Sequence, residues 1–468
     1  MAAKNNSASA ARQGKLIGFL PDDTPPIGAM LSLGFQQFLT MFPATALVAI
    51  LTKFDVGITL LASGLGTIIA LLVSQRKIPM YYGSSFSYIA VIITVMSKFA
   101  PDCFNSAAVY CPEGVQIVQV GIILTAVFEI LIGFLIMRLG KAALDRVLPP
   151  IVTGSMAIVI GIALANAALG NAGNWAAPEL AATSWGVAFF TLIATILFSV
   201  YLQGKGLIGM LPILFGAIAG YIVAYFAGLV NFNNVASAAW VALPKFTFPA
   251  FNNPAAWGMA LSIALIFIAT VPESTAHLYQ MSLYIDELAH EMKRKPYNIK
   301  ELIGLNLVAD GADDLVVGFL GGCAGTNYGE NNSLMAITRN YSTSVLMTAG
   351  AMAIVFGFFG KLVALVNTIP AAVVGGLSIY LFGVIGMQGI ALLQSEKVNL
   401  FDPKQLAVGS VILVCGIGGN LSLKDGMFPF QVPFLFPNGI PAIVFAAFLG
   451  ILINTIFLVF KAPEASKA

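Results

Sequence analysis

The chain has 468 residues, of which 58% are hydrophobic and only 9% charged, against about 25% charged in ordinary soluble domains. That balance excludes a water-soluble globular protein and fits an all-α polytopic membrane protein, because each spanning helix takes about 20 apolar residues. A net charge of +2 without a basic tract offers no footprint for nucleic acid, and no Walker-type phosphate loop or zinc-type Cys/His cluster points to ATP, a cofactor or a metal.

Met1 to Pro26 is polar, so no cleavable signal peptide is expected and the first span serves as the insertion signal. Hydropathy then predicts fourteen spans, at 28–52, 57–75, 79–97, 115–137, 149–170, 184–203, 206–229, 255–283, 303–322, 327–338, 345–367, 370–393, 405–422 and 438–460. Lys and Arg set the orientation. With the N-terminus inside, 18 of them face the cytoplasm, and only Lys53, Lys98, Lys245, Lys361 and Lys424 face outside. The expectation is a multi-pass protein of the cell (inner) membrane with both termini in the cytoplasm.

The third and tenth spans are unusual. Residues 79–97 open with Pro79-Met80-Tyr81-Tyr82-Gly83-Ser84-Ser85-Phe86, and residues 327–338 are too short to cross alone. Both carry Tyr-Gly followed by two polar residues. A second echo relates Pro149 and Gly154 of the fifth span to Pro370 and Gly375 of the twelfth. Each echo lies seven spans on, an odd number, so the second copy must enter the membrane from the opposite side. That is the pattern of an inverted-repeat transporter whose broken helices meet at the midplane. The repeats fall at 28–229 and 230–460, with cytoplasmic tails at 1–27 and 461–468. Half-helices starting after Gly83 and Gly329 would aim free N–H groups and positive dipole ends into a cavity.

The residues fit for chemistry cluster there. Gly325 to Arg339 sets Glu330 among the amides Asn327, Asn331 and Asn332, between long apolar runs. An ionisable group at that depth costs about 2.5–3.5 kcal/mol and usually marks a substrate or ion path. In the eighth span Glu273 and His277 are four apart and share a helix face, and Pro272 is expected to bend the helix beside them. The plain alternatives are a Glu273 satisfied by neighbouring helices and a His277 that only hydrogen-bonds across them. Ser84, Ser85 and Ser87 either bind a ligand or repair broken helix backbone, and Phe86 offers a ring for stacking. Asp310, Asp313 and Asp314 read as acids opening the ninth span from the cytoplasmic side, where they would be capping and dipole partners. Gln36 and Gln37 sit at mid-depth in the first span as support for the acids. Cys103 and Cys111 share one outside loop, as a disulfide or as two free thiols. Cys323 and Cys415 read as packing residues.

Glu330-Asn331-x-Ser333-x4-Thr338-Arg339 resembles the signature of the nucleobase/ascorbate transporter (nucleobase–cation symporter) family: Gln, Glu or Pro, then Asn-x-Gly-x4-Thr and a basic residue. Ser84-Ser85-Phe86, Glu273 with His277 one turn later, Asp310-Gly311, Pro149-Pro150 and Gln36 match it as well. The resemblance runs from about Asp22 to the last span and is strongest to the uracil permease branch. It implies proton-coupled uptake of a nucleobase, uracil first, by alternating access rather than enzymatic chemistry. It also implies two inverted halves of seven spans, short strands in the third and tenth, a core domain (spans 1–4 and 8–11) and a gate domain (spans 5–7 and 12–14). In the family the positions of Glu273 and Glu330 bind the base, those of Phe86 and Gly329 give backbone contacts, and that of His277 serves proton coupling. Tyr328 and Ser85 complete the substrate set, with Gln36, Gln37, Asn331, Thr338 and Phe382 in support. A homodimer through the gate domain, surrounded by membrane lipids, is implied too. Three positions depart from the pattern: Ser333 for the signature glycine, Gln37 for His and Phe382 for Tyr.

Elementary chemistry agrees with this reading. Uracil alternates N–H donors and carbonyl acceptors around a flat ring, so two carboxylates and a few backbone N–H groups match it. Two close acids in a dry site cannot easily both be ionised, which makes a proton a natural co-substrate. The rivals are a purine or xanthine permease of the same family and, further off, an anion transporter or channel of the same fold. A membrane enzyme is disfavoured, because no nucleophile–base pair is apparent.

Overall fold

The computed structural model describes residues 18–460 apart from 107, 141, 143–145, 433–435 and 437–438. The outer parts of both expected tails, 1–17 and 461–468, lie outside the described residues. Helix α1 (Ile27–Thr52) and α2 (Val56–Val73) lead to strand β1 (Tyr82–Ser84), a 3-10 turn at Phe86–Tyr88 and α3 (Ile89–Phe99). Four helices follow: α4 (Pro112–Leu139), α5 (Pro150–Ala163), α6 (Pro178–Tyr201) and α7 (Pro212–Phe226). Next come α8 (Pro254–Ala264), α9 (Phe267–Glu291), α10 (Ile303–Leu320), strand β2 (Gly325–Asn327) and α11 (Gly329–Thr338). The chain ends with α12 (Thr343–Gly357), α13 (Gly360–Val366), α14 (Ala371–Ser395), α15 (Pro403–Leu413) and α16 (Ala442–Val459).

Local chemistry sets many of these boundaries. Helices α4, α5, α6, α7 and α15 each open with a proline, whose missing N–H is harmless in a first turn and whose φ is preset. Asp55 and Asp402 cap α2 and α15 by accepting from the N–H groups of Ile58 and Lys404. Among the described residues, eight helical stretches are long and apolar enough to cross a membrane. The expected third, seventh, eighth, ninth, tenth and eleventh spans are instead short, interrupted or acid-bearing helices. The eighth is interrupted at Leu265 and Ile266, between α8 and α9, ahead of Pro272. Pro272 sits inside α9 near its start, where it deprives only the carbonyl one turn back of a partner.

The helices sort into two packed groups. One holds α1, α2, α4, α8, α10 and α12; the other holds α5, α6, α7, α14, α15 and α16. Small residues make the seams. A Cβ on Gly350 of α12 would stand 2.7 Å from the Gly64 carbonyl of α2, and one on Gly133 of α4 would stand 2.7 Å from the Gly304 carbonyl of α10. Lipid supplies no hydrophobic drive between helices, so close backbone approach of this kind carries the packing. Gly350→Leu is therefore expected to cost about 3 kcal/mol by overpacking, read as a lower Tm of the purified protein.

The two broken segments cross at the centre. β1 and β2 pair antiparallel, with Tyr82 opposite Asn327, Gly83 opposite Thr326 and Ser84 opposite Gly325. The pairing is extended by Ser85 N–H to Ala324 O at 2.8 Å and Tyr328 N–H to Tyr81 O at 2.9 Å. On the α2 side, Ser63 and Thr67 hydroxyls donate to Tyr82 O at 2.7 and 2.9 Å, and Thr67 accepts from Tyr82 N–H at 3.0 Å. Unwound backbone is tolerated at this depth where its polar groups find protein partners, as these do.

Two loop features complete the picture. Cys103 and Cys111 form a disulfide. Residues 18–23, within the expected tail, are fastened to the rest of the chain. Phe19 N–H donates to Arg339 O and Tyr341 N–H to Phe19 O, while Arg294 bridges Asp22 and Asp23 at 2.6 and 2.7 Å. Burial tends to raise the Asp22 carboxyl, but the Tyr297 hydroxyl and Arg294 prevail and hold it below the ordinary 3.8. A carboxyl lowered by folding stabilises the fold fully above its unfolded value and loses that contribution as pH falls through the folded one. Acid below the ordinary carboxylate range is thus expected to loosen this fastening, read as faster proteolysis near Asp22, with the Asp22→Asn protein already loosened at neutral pH.

Candidate functional site

Glu273 lies on α9 with an exposed side chain, although Val271 and Ser274 beside it are fully buried. Its carboxyl meets the Ser87 hydroxyl and feels both His277 and Glu330. Glu330 is half-buried in the first turn of α11, where the positive helix end favours an anion. Acids from two different broken segments are therefore brought within electrostatic reach of one another.

His277 is held from behind. Its Nδ1 is 2.7 Å from Asn327 Oδ1 and 3.1 Å from the Asn327 carbonyl. Asn327 Nδ2 donates to Ser274 Oγ at 2.6 Å, and Asn306 Nδ2 donates to the same oxygen at 2.7 Å. With its nitrogen committed to Ser274, Asn327 presents only acceptors to His277, so Nδ1 carries the hydrogen and Nε2 is left as the acceptor. Nε2 would stand 2.9 Å from a Cβ placed on Gly329. Glycine at 329 thus lets the imidazole lie against the backbone at the start of α11.

The second helix group reaches the site at Phe382 of α14, whose ring meets that of Phe86 edge-on with centroids 6.3 Å apart. Phe86 is half-buried and Phe382 only 2% exposed. The candidate site therefore lies where the two packed groups touch.

The remaining residues of the expected site divide by role. Tyr328 does not present its hydroxyl to a ligand; it donates to Ser84 O at 2.8 Å and meets Thr45 Oγ1 at 3.0 Å. It is a buried strut that pins the strand crossing to α1. Tyr328→Phe is expected to cost about 1–3 kcal/mol by leaving a buried carbonyl unpaired, read as a lower Tm with nucleobase affinity kept. Ser85 Oγ accepts from Ser87 N–H at 3.3 Å, the backbone-repair role. Gln37 accepts from Asn331 Nδ2 at 2.7 Å and so supports α11 from α1. Gln36 is not brought to the acids; its amide reaches only Ser32, at 3.5 Å, one turn back along α1. Thr338 bonds the Leu334 carbonyl at 2.8 Å, near the far end of α11. Ser333, in the glycine position of the signature, turns its hydroxyl onto the Gly329 carbonyl at 2.9 Å.

Asp310, Asp313 and Asp314 are not capping residues. The first turn of α10 carries no acid, and the three lie in its middle at 1%, 0% and 0% exposure. Glu129 of α4, equally buried at 1%, joins them. Sequence reading missed Glu129, Ser274, Asn306 and the role of Asn327. The signal for Glu129 was present, since an acid within a 28-residue apolar helix obeys the same depth argument as Glu273.

The fold and an acid-lined site between two helix groups define a multi-pass membrane protein of transporter architecture. The transmembrane domain of a cyanobacterium bicarbonate transporter, BicA, superposes with a TM-score of 0.59 at 17% identity, covering 86% of this chain and 98% of that one. The murine Solute Carrier 26 family member A9 anion transporter, in its inward-facing state, superposes with a TM-score of 0.60 at 12% identity, covering 94% and 69%. Identities this low speak for the fold alone. The model of the Permease family (Xan_ur_permease) matches residues 28–424, and the chain belongs to that family. It is 35% identical to the uracil permease of Bacillus caldolyticus over 437 residues, 93% of each chain. It is 33% identical to the uracil permease of Escherichia coli (strain K12) over 401 residues, 85% of this chain and 86% of that one.

Proposed function

We propose that the chain is a proton-coupled symporter that imports a nucleobase, uracil first, by alternating access. The observation that carries this reading is the electrostatic reach between Glu273 and Glu330, on separate broken segments, with His277 beside them. The two carboxyls accept the ring N–H groups. The N–H groups at the start of α11, which have no partner within the helix, serve a ring carbonyl together with the backbone at Phe86, whose side chain covers the ring. Such matched polar groups reject analogues that leave them unpaired far better than an apolar pocket does.

Proton coupling follows from the same geometry. Two carboxyls that influence one another favour sharing a proton, and the free Nε2 of His277 provides a neighbouring acceptor. On this reading the α1, α2, α4, α8, α10 and α12 group, with α3, α9 and α11, is the core that holds the substrate. The α5–α7 and α14–α16 group is the gate, and Phe86 against Phe382 marks their boundary. Fourteen membrane segments as two inverted repeats, cytoplasmic termini and a homodimer through the gate belong to the same proposal.

The test is uptake of labelled uracil in competition with thymine, xanthine, hypoxanthine and ascorbate. Competition by uracil above all is expected; preferential competition by xanthine or hypoxanthine would replace the pyrimidine reading with a purine one. His277→Ala is expected to flatten the dependence of uptake on an imposed pH gradient, and an unchanged dependence would remove His277 from the coupling.

A further inference from the structure

Beneath β1 and β2 lies a second ionisable group of residues. Glu129 of α4 and Asp310, Asp313 and Asp314 of α10 are each 1% exposed or less. They are built into the fold. Asp314 Oδ1 accepts from Gly325 N–H of β2 at 2.5 Å, and a Cβ on either Gly325 or Gly66 of α2 would collide with the Asp313 carboxyl. Among the described residues no ion pair reaches them; Arg294 pairs with Asp22 and Asp23, and Arg339 with Glu291.

Their oxygens are largely unpartnered. Both oxygens of Asp310, both of Asp313 and one each of Glu129 and Asp314 lack a hydrogen-bond partner, while Glu129 Oε1 takes the Thr270 hydroxyl at 3.3 Å. A separate observation concerns two tyrosines on the strand side. Tyr82 and Tyr88 are 0% exposed and their hydroxyls also lack a hydrogen-bond partner. Tyr82 lies within electrostatic reach of Asp310, Asp313 and Glu129, and Tyr88 within reach of Glu129, Asp314 and Asp310. Tyr81 beside Asp313, and Glu273 beyond Asp310, are the other titratable groups turned toward them. Each buried ionised carboxylate costs several kcal/mol after relaxation, so four together without a counter-charge cannot persist. No group of three or more acids, histidines or cysteines among the described residues is arranged to hold a metal ion. The remaining ligand is the proton, which removes the charge and converts an acceptor into a donor.

We propose that Glu129, Asp310, Asp313 and Asp314 form a second proton-binding site, sharing protons among four carboxyls beneath the buried hydroxyls of Tyr82 and Tyr88. The site is linked to the first. Asp310 lies beside Ser274, the oxygen that receives both Asn306 and Asn327, and Asn327 in turn accepts from His277. A proton gained or lost at Asp310 therefore changes the electrostatic surroundings of the side chains that hold His277. Proton occupancy of the four acids is independent of which base the protein carries.

The test is infrared spectroscopy of the purified protein without nucleobase. Glu129→Gln and Asp313→Asn, close in shape to the native residues, are compared with wild type in the carboxylic-acid carbonyl band, which is distinct from the carboxylate band. Each substitution is expected to remove a share of the acid band at neutral pH while the helical amide band is kept. Asp314→Asn is the further variant should one of these fail to fold. An acid band unchanged in all folded variants would overturn the proposal. So would a wild-type band that appears only when sodium is replaced by choline, which would make the site one for a metal cation.

Discussion

Glu330→Gln is expected to lower uptake of labelled uracil by about 10- to 100-fold while the protein still reaches the membrane at wild-type level. A hydrogen bond to a charged group contributes about 1.5–3 kcal/mol, and about 1.4 kcal/mol is a factor of ten. Glutamine keeps the size of the side chain but can present an amide N–H to a ring N–H, setting donor against donor. Glu273→Gln should lose as much for the same reason, and it also leaves His277 without its neighbouring acid. The measurement is uptake in whole cells, normalised to the protein found in the membrane. Wild-type uptake in either variant would remove that residue from the site.

Gly329→Val is expected to weaken nucleobase binding by about 10- to 100-fold without unfolding the core. A Cβ at 329 would already stand 2.9 Å from His277 Nε2, closer than side chains approach, and valine adds two further methyl groups. The imidazole cannot easily retreat, since Asn327 holds its other nitrogen at 2.7 Å. Overpacking of this kind costs about 1–3 kcal/mol, here at the start of the helix that carries Glu330. Gly329→Ala should show a smaller loss, and combining it with His277→Ala should relieve the steric part. Binding to Gly329→Val at wild-type affinity would show that the ring does not sit where the geometry puts it.

The breaks in the third and tenth spans were legible because Tyr-Gly and two polar residues recur where apolar runs are interrupted. Glu273 and His277 were legible because ionisable residues one turn apart are expensive in a span and share a face. The strands themselves had no readable pattern, since three residues at 82–84 and three at 325–327 are too few to alternate, and only the family resemblance suggested them. Tyr328 and Gly329 show a different limit. They are adjacent, yet at the strand end one side chain packs against Thr45 and Ser84 while the next position abuts His277. The three aspartates were misplaced because acids near a helix start are usually caps, and a composition count cannot distinguish a first turn from the third. Glu129 was passed over although the cost of an acid within a long apolar helix marked it; what the sequence could not show is that packing sets it beside the α10 aspartates.

Equilibrium binding of uracil to the purified protein tests the paired acids most directly, because it removes energy coupling and expression from the result. Wild type should bind uracil, and Glu273→Gln and Glu330→Gln should each bind it at least about tenfold more weakly with Tm unchanged. Wild-type affinity in either glutamine variant would contradict the account.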